Sequence, residues 1–394
     1  MNSPVTSMGK RSYSKLVCPS VVAIALIFLP VLVAQEQDRS QARSNALTLE
    51  QKGLNADAEQ IWIAIAKADP QNAEALAHLG LLEARQEHFE SAIENYRMAI
   101  AINPDLPGLQ MNLGLTLFKV AQFPDAIKSL SSEIRKHPGD LRLTILLGMA
   151  HYGMKDYLVA IPYLKRATEH DSQDVALRLA LAHSCMRSKQ YQCVLDAHRE
   201  ILALQPASAE ADMLAGEALN QMGDKAGATK ELRAAVASNP DQPNAHFGLG
   251  YLLWAENKWP EAANEFQLEL QKDPGNLKAS IYFADSWVRQ GEFAKALPEL
   301  EKLARGNEPN PIVDLDLGII HGNSGQNEDA IRELKKAIES DPEDIEPHLL
   351  IAKLYGSMGR KDEANEEIER AGKLSPRNHL SLAEMIDSIE TPAP

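Results

Sequence analysis

Prolines recur at a fixed interval along most of this chain. Successive members of the series lie 34 residues apart, or twice that distance where one slot carries another residue. A period of this length corresponds to one small supersecondary module, which cannot bury its apolar face alone. The period therefore predicts stacked copies of one module and not a conventional globular core. The series is Pro70, Pro104, Pro138, Pro206, Pro240, Pro274, Pro342 and Pro376.

The period divides the chain into ten contiguous units when Pro70 is set at position 32 of its unit. The units run without gaps from residue 39 to residue 378. We expect the following segment, residues 379–394, to form a short capping helix over the last open apolar face, followed by a tail, because Ser381 and Glu384 make a capping-box pattern. The predicted units are 39–72, 73–106, 107–140, 141–174, 175–208, 209–242, 243–276, 277–310, 311–344 and 345–378.

Two columns of small residues run through all ten units. Position 8 is Gly or Ala in every unit, and position 20 is Ala in every unit except the fifth, which has Val194. Larger apolar residues recur at the three- and four-residue spacing of a helix face. The two columns therefore predict a pair of helices that cross with their backbones close together. In five units glycine precedes the second helix, where a left-handed cap costs little. These glycines are Gly53, Gly223, Gly291, Gly325 and Gly359.

These correlated columns resemble the tetratricopeptide repeat (TPR), and the resemblance covers residues 39–378. It implies an all-α fold, a TPR α-solenoid in which antiparallel helix pairs wind into a right-handed superhelix. In that arrangement the first helices line a concave groove and the second helices lie outside. The position-32 proline is expected to stop each second helix, because it has no N–H to continue the hydrogen-bond ladder.

The N-terminus has the pattern of an export signal. Lys10, Arg11 and Lys15 precede an apolar stretch, residues 16–34, and polar residues follow at once. We expect either a signal peptide cut after Ala34 or an uncleaved membrane anchor, with residues 35–38 as a linker. Both alternatives place the repeats across the cytoplasmic membrane, in the periplasm or cell envelope.

Charge and motif content restrict the classes of function. The net charge of −15 argues against a nucleic-acid partner, because phosphate binding needs a concentrated basic face. We find no phosphate loop, no nucleophile elbow and no helical histidine pair at zinc spacing. The sequence therefore predicts no cofactor, no enzymatic activity, and membrane contact only through residues 16–34 if they stay attached.

The resemblance implies that positions 5, 9 and 12 of the first helices face the groove. In units three to seven these positions are rich in Met and aromatic residues, which adapt to varied apolar side chains of a protein or peptide. The alternative is that part of this surface is used in packing between adjacent first helices. The predicted groove residues are Met111, Leu115, Phe118, Ile145, Met149, Tyr152, His183, Met186, Met213, Phe247, Tyr251 and Trp254.

Cys185 and Cys193 lie on either side of the turn in the fifth unit. Export would favour a disulfide between them, and the alternative is two separate small thiols. His183 and His198 flank the cysteines, but residues two or five apart on a helix diverge, so no metal site is expected among these four.

Function follows from the repeats. We expect a non-catalytic scaffold that is exported and binds a partner protein or peptide in an apolar concave groove. One alternative is a regulatory or substrate-recruiting subunit of an envelope enzyme, such as a glycosyltransferase, acting in trans. Another is an assembly factor that stays tethered to the membrane by residues 16–34.

Overall fold

A computed structural model describes residues 37–171, 173–306 and 309–374. The part of the chain so described contains helices and turns and no strand, so the all-α fold class is confirmed. None of its helices is both long and apolar enough to cross a membrane. The predicted signal or anchor (residues 1–34) and the predicted capping helix (residues 379–394) lie outside the described residues.

Twenty helices in antiparallel pairs build the described chain. Their bounds are α1 37–51, α2 Asn55–Ala68, α3 Ala73–Arg85, α4 Phe89–Ile102, α5 Leu109–Lys119, α6 Phe123–Lys136, α7 Leu141–Gly153, α8 Tyr157–His170, α9 Val175–Arg187, α10 Tyr191–Leu204, α11 Ala209–Gln221, α12 Lys225–Ser238, α13 Ala245–Ala255, α14 Trp259–Lys272, α15 Leu277–Arg289, α16 Phe293–Arg305, α17 Pro311–Asn323, α18 Asn327–Ser340, α19 Ile345–Ser357 and α20 Lys361–Lys373.

The chain divides into two compact bodies, an N-terminal body that ends at Met154 and a C-terminal body that begins at Lys155. The division falls in the turn of the fourth repeat. From α2 onward, helices that follow one another within a body pack against each other. First helices of successive repeats also touch, as α5 and α7 do in the N-terminal body.

Six first helices begin directly after an N-cap side chain at position 34 of the preceding repeat. The side chains of Asn72, Asp174 and Asn276 each accept a hydrogen bond from a backbone N–H of the first turn, which is otherwise unsatisfied. In the third and seventh repeats the helix begins two residues later, after Gly108 and Asn244 in left-handed conformations. Both of these starts follow a proline at position 1.

The two helices of a repeat approach closely at the small-residue columns, as the sequence predicts. A Cβ atom added to Gly114 would lie 2.6 Å from the Leu130 side chain, and one added to Gly250 would lie 2.9 Å from the Phe266 ring. Such distances are shorter than real Cβ contacts, so the position-24 side chain occupies the space that glycine leaves free. The crossing is therefore fixed by position 8.

Position 15, in the turn between the paired helices, is left-handed in all ten repeats. Glycine was expected to have this conformation in five of them. The other five adopt it with a side chain present, at Glu87, Ala121, Lys155, Lys189 and Asn257. The turn geometry thus comes from the helix pair, and glycine only lowers its steric cost.

We expect Gly291→Ala to lower the free energy of unfolding by about 1 kcal/mol, because alanine is disfavoured at positive φ. No atom lies within 4 Å of the added Cβ, so the cost is purely one of backbone conformation. The matched control is Gly356→Ala inside α19, where the added Cβ is equally free. There alanine raises helix propensity by about 1 kcal/mol. Urea unfolding followed by circular dichroism should shift in opposite directions for the two variants; a shift in the same direction would contradict this explanation.

Candidate functional site

Six of the predicted groove residues form a partly exposed apolar strip in the N-terminal body. On each of α5 and α7 three residues are spaced four and then three apart, which places them on one helix face. Leu115 is 40% exposed, and the other five are half-buried. We call these six residues the apolar strip. They are Met111, Leu115, Phe118, Ile145, Met149 and Tyr152.

The strip is held by packing on the opposite side of the same helices. Leu113 of α5 and Leu147 of α7 are buried beneath it. The Phe118 ring packs edge-on against Phe123 at the start of α6, with ring centroids 5.6 Å apart. Arg85 and Lys119, at position 13 of their repeats, are exposed. The arrangement offers adaptable apolar contacts with positive charge available on neighbouring first helices.

Five of the six predicted groove residues in the C-terminal body are buried, unlike the residues of the apolar strip; His183 is the exception. None of the other five is more than 9% exposed. This corrects the expectation that they present a free apolar surface, because they belong to the packed interior. The alternative of packing between adjacent first helices describes them better. The five are Met186, Met213, Phe247, Tyr251 and Trp254.

Tyr282 of α15 accounts for much of this burial. Its ring centroid lies 5.4 Å from that of Tyr251 and 4.9 Å from that of Trp254, both in edge-on contacts. The Trp254 indole N–H also donates a hydrogen bond to Asp285 of α15. Burial raises the pKa of the Tyr282 hydroxyl. Sequence reasoning missed Tyr282 because it lies at position 6, outside the expected groove positions.

His183 is partly exposed and contributes to a polar bridge, not to an apolar surface. Its Nε2 lies 2.7 Å from Oε1 of Glu210, which links α9 to α11. The hydrogen bond from His183 lowers the pKa of the Glu210 carboxyl, against the opposing effect of partial burial.

The structure joins Cys185 of α9 to Cys193 of α10 through a disulfide, with Cα atoms 5.9 Å apart. Whether the cysteines are oxidised in the cell stays a prediction. The two flanking histidines have other partners: His183 contacts Glu210, and His198 contacts Asp212. These four residues therefore do not come together as one metal site.

A second polar group in the C-terminal body contains two completely buried aspartates. Asp285 and Asp316, from α15 and α17, both have 0% exposure. Arg289 connects to Asp285 at 3.1 Å and to Glu346 of α19 at 2.8 Å. Both carboxyl oxygens of Asp316 lack a hydrogen-bond partner. Burial, followed by the charge of Asp285, holds the pKa of Asp316 well above its ordinary value. The sequence does not predict that the Asp316 carboxyl is buried, because this burial arises only from the tertiary structure.

The geometry defines a class: repeat proteins built of antiparallel helix pairs, with a small-residue crossing in each pair. Three family models of this class match segments of the chain. A tetratricopeptide repeat model matches residues 111–175 and 221–276, a TPR repeat model matches residues 82–120 and 318–359, and a further tetratricopeptide repeat model matches residues 345–378. The chain belongs to the tetratricopeptide repeat family.

Two named relatives match part of the chain. BBSome complex member BBS4 from Bos taurus is 26% identical over 234 residues, which are 58% of this chain and 44% of that protein. Intraflagellar transport protein 70A from Xenopus laevis is 24% identical over 197 residues, 50% of this chain and 30% of that protein. The matched segments thus span less than half the length of these relatives.

Solved structures of TPR proteins also align with the chain. A tetratricopeptide repeat protein from Parabacteroides merdae ATCC 43184 aligns over 67% of this chain and 98% of its own, with a TM-score of 0.43 and 18% identity. YrrB, described as a TPR protein with an unusual peptide-binding site, aligns over 47% of this chain and 95% of its own, with a TM-score of 0.43 and 18% identity.

The buried carboxyl of Asp316 predicts a pH dependence of stability. Its pKa is raised in the folded chain, so the folded state binds a proton that the unfolded state has released above about pH 4. Stability contributed by this group is present at low pH and is lost as the pH rises. Asp316→Asn removes the titration, so the variant should gain stability over the parent as the pH rises from about 4 through the raised folded-state pKa, by at most about 1.4 kcal/mol per pH unit.

Urea unfolding of both proteins across that range measures the effect. Asp241→Asn, at a side chain that is 88% exposed, is the matched control and should follow the parent at every pH. A stability difference between the Asp316 variant and the parent that is independent of pH would contradict the assignment.

Proposed function

We propose that this chain is an exported, non-catalytic scaffold that binds an extended or helical segment of a partner protein on the apolar strip. The observation that carries the proposal is the strip itself, which is six apolar side chains on two adjacent helices, all partly exposed. Apolar surface of this kind on a soluble body usually marks an interaction site. TPR domains are typically interaction scaffolds without catalysis, and this chain has the fold.

The strip is suited to binding because it is built in advance. Its helices are fixed by the position-8 crossings, so little conformational entropy is lost when a partner docks. Met111, Ile145 and Met149 offer flexible or branched apolar contacts, and the Phe118 ring is held by Phe123. A partner side chain fully buried there would gain roughly 1.5–3 kcal/mol.

The charges near the strip favour a partner with apolar residues flanked by carboxylates. Arg85 and Lys119 are exposed on α3 and α5, in a chain whose net charge is −15. Local positive charge on an acidic protein orients an acidic ligand more than it adds affinity. One relative is named as a member of a complex, which agrees with a scaffold role and leaves the partner of this chain open.

Acidic substitutions on the strip should weaken partner binding strongly. We expect Leu115→Asp and Met149→Asp each to weaken the interaction roughly 30-fold or more, because a partner side chain would then bury against an unpaired charge. A quantitative cross-linked pull-down from cell-envelope extract, followed by titration of the recovered partner with purified chain, measures the loss.

The matched control for the strip variants is Leu158→Asp, on the second helix α8. Leu158 is 65% exposed and lies outside the strip. The Leu158→Asp variant should bind the partner as tightly as the parent chain does, and circular dichroism should show that all three variants are folded. If the Leu158 variant loses the partner while the strip variants keep it, the binding surface lies elsewhere and the proposal fails.

Export makes a separate prediction about the chain recovered from cells. Its intact mass under non-reducing conditions should correspond to a start at Gln35 and should be about two daltons below the reduced form, because oxidising compartments favour the Cys185–Cys193 bridge. A chain that retains residues 1–34 and has three alkylatable thiols, Cys18 included, would show that it is neither cleaved nor exposed to those conditions. Retention of residues 1–34 with the bridge formed would identify the anchored alternative.

A further inference from the structure

Three ionisable side chains from three successive helices of the C-terminal body converge on one point. They are His198 of α10, Asp212 of α11 and Glu231 of α12. His198 Nε2 lies 2.9 Å from an Asp212 carboxylate oxygen and 3.9 Å from a Glu231 carboxylate oxygen. His198 and Asp212 are buried, and the Glu231 side chain is 15% exposed. One potential donor atom from each of the three residues lies within 4.8 Å of the other two.

His198 departs from the repeat pattern at the place where these carboxylates need a partner. It occupies position 24, which is an apolar residue in the other nine repeats and is buried at the helix crossing in eight of them. No rule of TPR packing calls for an imidazole there. The other residues at position 24 are Trp62, Tyr96, Leu130, Leu164, Leu232, Phe266, Leu300, Leu334 and Ile368.

Two other repeats show how the charge of a carboxylate at position 23 is balanced by a residue at position 4. In the seventh repeat His246 pairs with Glu265 at 2.7 Å, and in the tenth His348 pairs with Glu367 at 2.6 Å. Each of these sites has one imidazole for one carboxylate. The sixth repeat instead has a carboxylate at both positions, so its charge cannot be balanced within the pair.

The ninth repeat also has two carboxylates at these positions, Asp314 and Glu333, but a lysine in the same repeat pairs with one of them. Lys336 at position 26 lies 2.7 Å from Glu333. In the sixth repeat position 26 is Ala234. Lys230 does reach the outer oxygen of Glu231 at 2.8 Å, but its side chain is 79% exposed, so water screens most of its charge.

We propose that His198, Asp212 and Glu231 bind a divalent first-row transition metal ion, with Zn²⁺ as the best match. One imidazole nitrogen and two carboxylate oxygens are a donor set that such ions accept. Donor atoms around a tetrahedral zinc ion are about 3.3 Å apart, and the observed separations of 2.9 and 3.9 Å bracket that value. A dication neutralises both carboxylates, the buried Asp212 and the largely covered Glu231, which one imidazole does not.

The number and type of the donor atoms also favour a transition-metal ion over Mg²⁺ and Ca²⁺. Mg²⁺ requires six ligands in octahedral geometry, and Ca²⁺ takes six to eight oxygen ligands. Three protein donors, one of them a nitrogen and two of them on buried residues, supply neither. Since His198 comes from the fifth repeat and both carboxylates come from the sixth, a bound ion would tie the two repeats together.

Isothermal titration of the metal-free, oxidised chain with Zn²⁺ tests the proposal. We expect one tight site per chain, no comparable binding of Mg²⁺ or Ca²⁺, and visible absorption of tetrahedral Co²⁺ when cobalt is used as the probe. His198→Leu restores the residue type that position 24 has elsewhere, so it should fold. It should weaken Zn²⁺ binding by more than the 10–100-fold that changes to outer-shell groups cost. Asp212→Asn should do the same.

The matched control is His246→Gln in the next repeat, which removes a buried histidine from a two-group pair. It should leave the Zn²⁺ affinity and the Co²⁺ spectrum unchanged. If the parent chain shows no saturable site, or if His198→Leu binds Zn²⁺ as tightly as the parent, the proposal is wrong and the three groups form only a hydrogen-bonded ion cluster.

Discussion

The close crossing of two helices at positions 8 and 20 is the constraint on which the rest of this structure depends. A side chain from position 24 fills the space that a Cβ would need, as Leu130 does at Gly114 and Phe266 at Gly250. The crossing fixes the second helix relative to the first. It also fixes the turn between them, which is why position 15 is left-handed even where Ala121 or Lys189 must adopt it. Small residues at two positions thus determine backbone geometry that other residues accept.

Once the pairs are fixed, the exposed face of each first helix either stays open or packs on the next first helix. In the N-terminal body the faces of α5 and α7 remain partly open, and Leu115 is the most exposed of the six strip residues. In the C-terminal body Tyr282 inserts among Tyr251 and Trp254, and aromatic contacts close the corresponding face. Residues at equivalent repeat positions can therefore be interaction surface in one place and core in another.

This difference limits what the sequence could predict. The period, the crossing columns, the glycine turns and the helix order follow from local chemistry repeated ten times, so they could be read directly. The apolar strip could be predicted only in part, because exposed and buried residues occupy the same repeat positions. Met111 shares position 5 with Met213 and Phe247, and Met149 shares position 9 with Tyr251; the residues of the C-terminal body are buried. Whether such a residue is exposed depends on a neighbour from the following repeat, such as Tyr282. A column-by-column reading does not contain that information.

The partners of buried charged groups also cannot be predicted from the repeat positions, because each repeat neutralises its buried charges differently. The tenth repeat sets an imidazole against a carboxylate, and the ninth uses Lys336. For Asp316, near Asp285 and Arg289, burial raises the pKa and so favours the neutral carboxyl over an ion pair. Burying an unpaired carboxylate costs several kcal/mol, so every such group needs one of these solutions. A departure from the consensus, such as His198 in a column of core residues, is therefore informative when it coincides with an uncompensated charge. The coincidence requires an explanation that packing alone does not give.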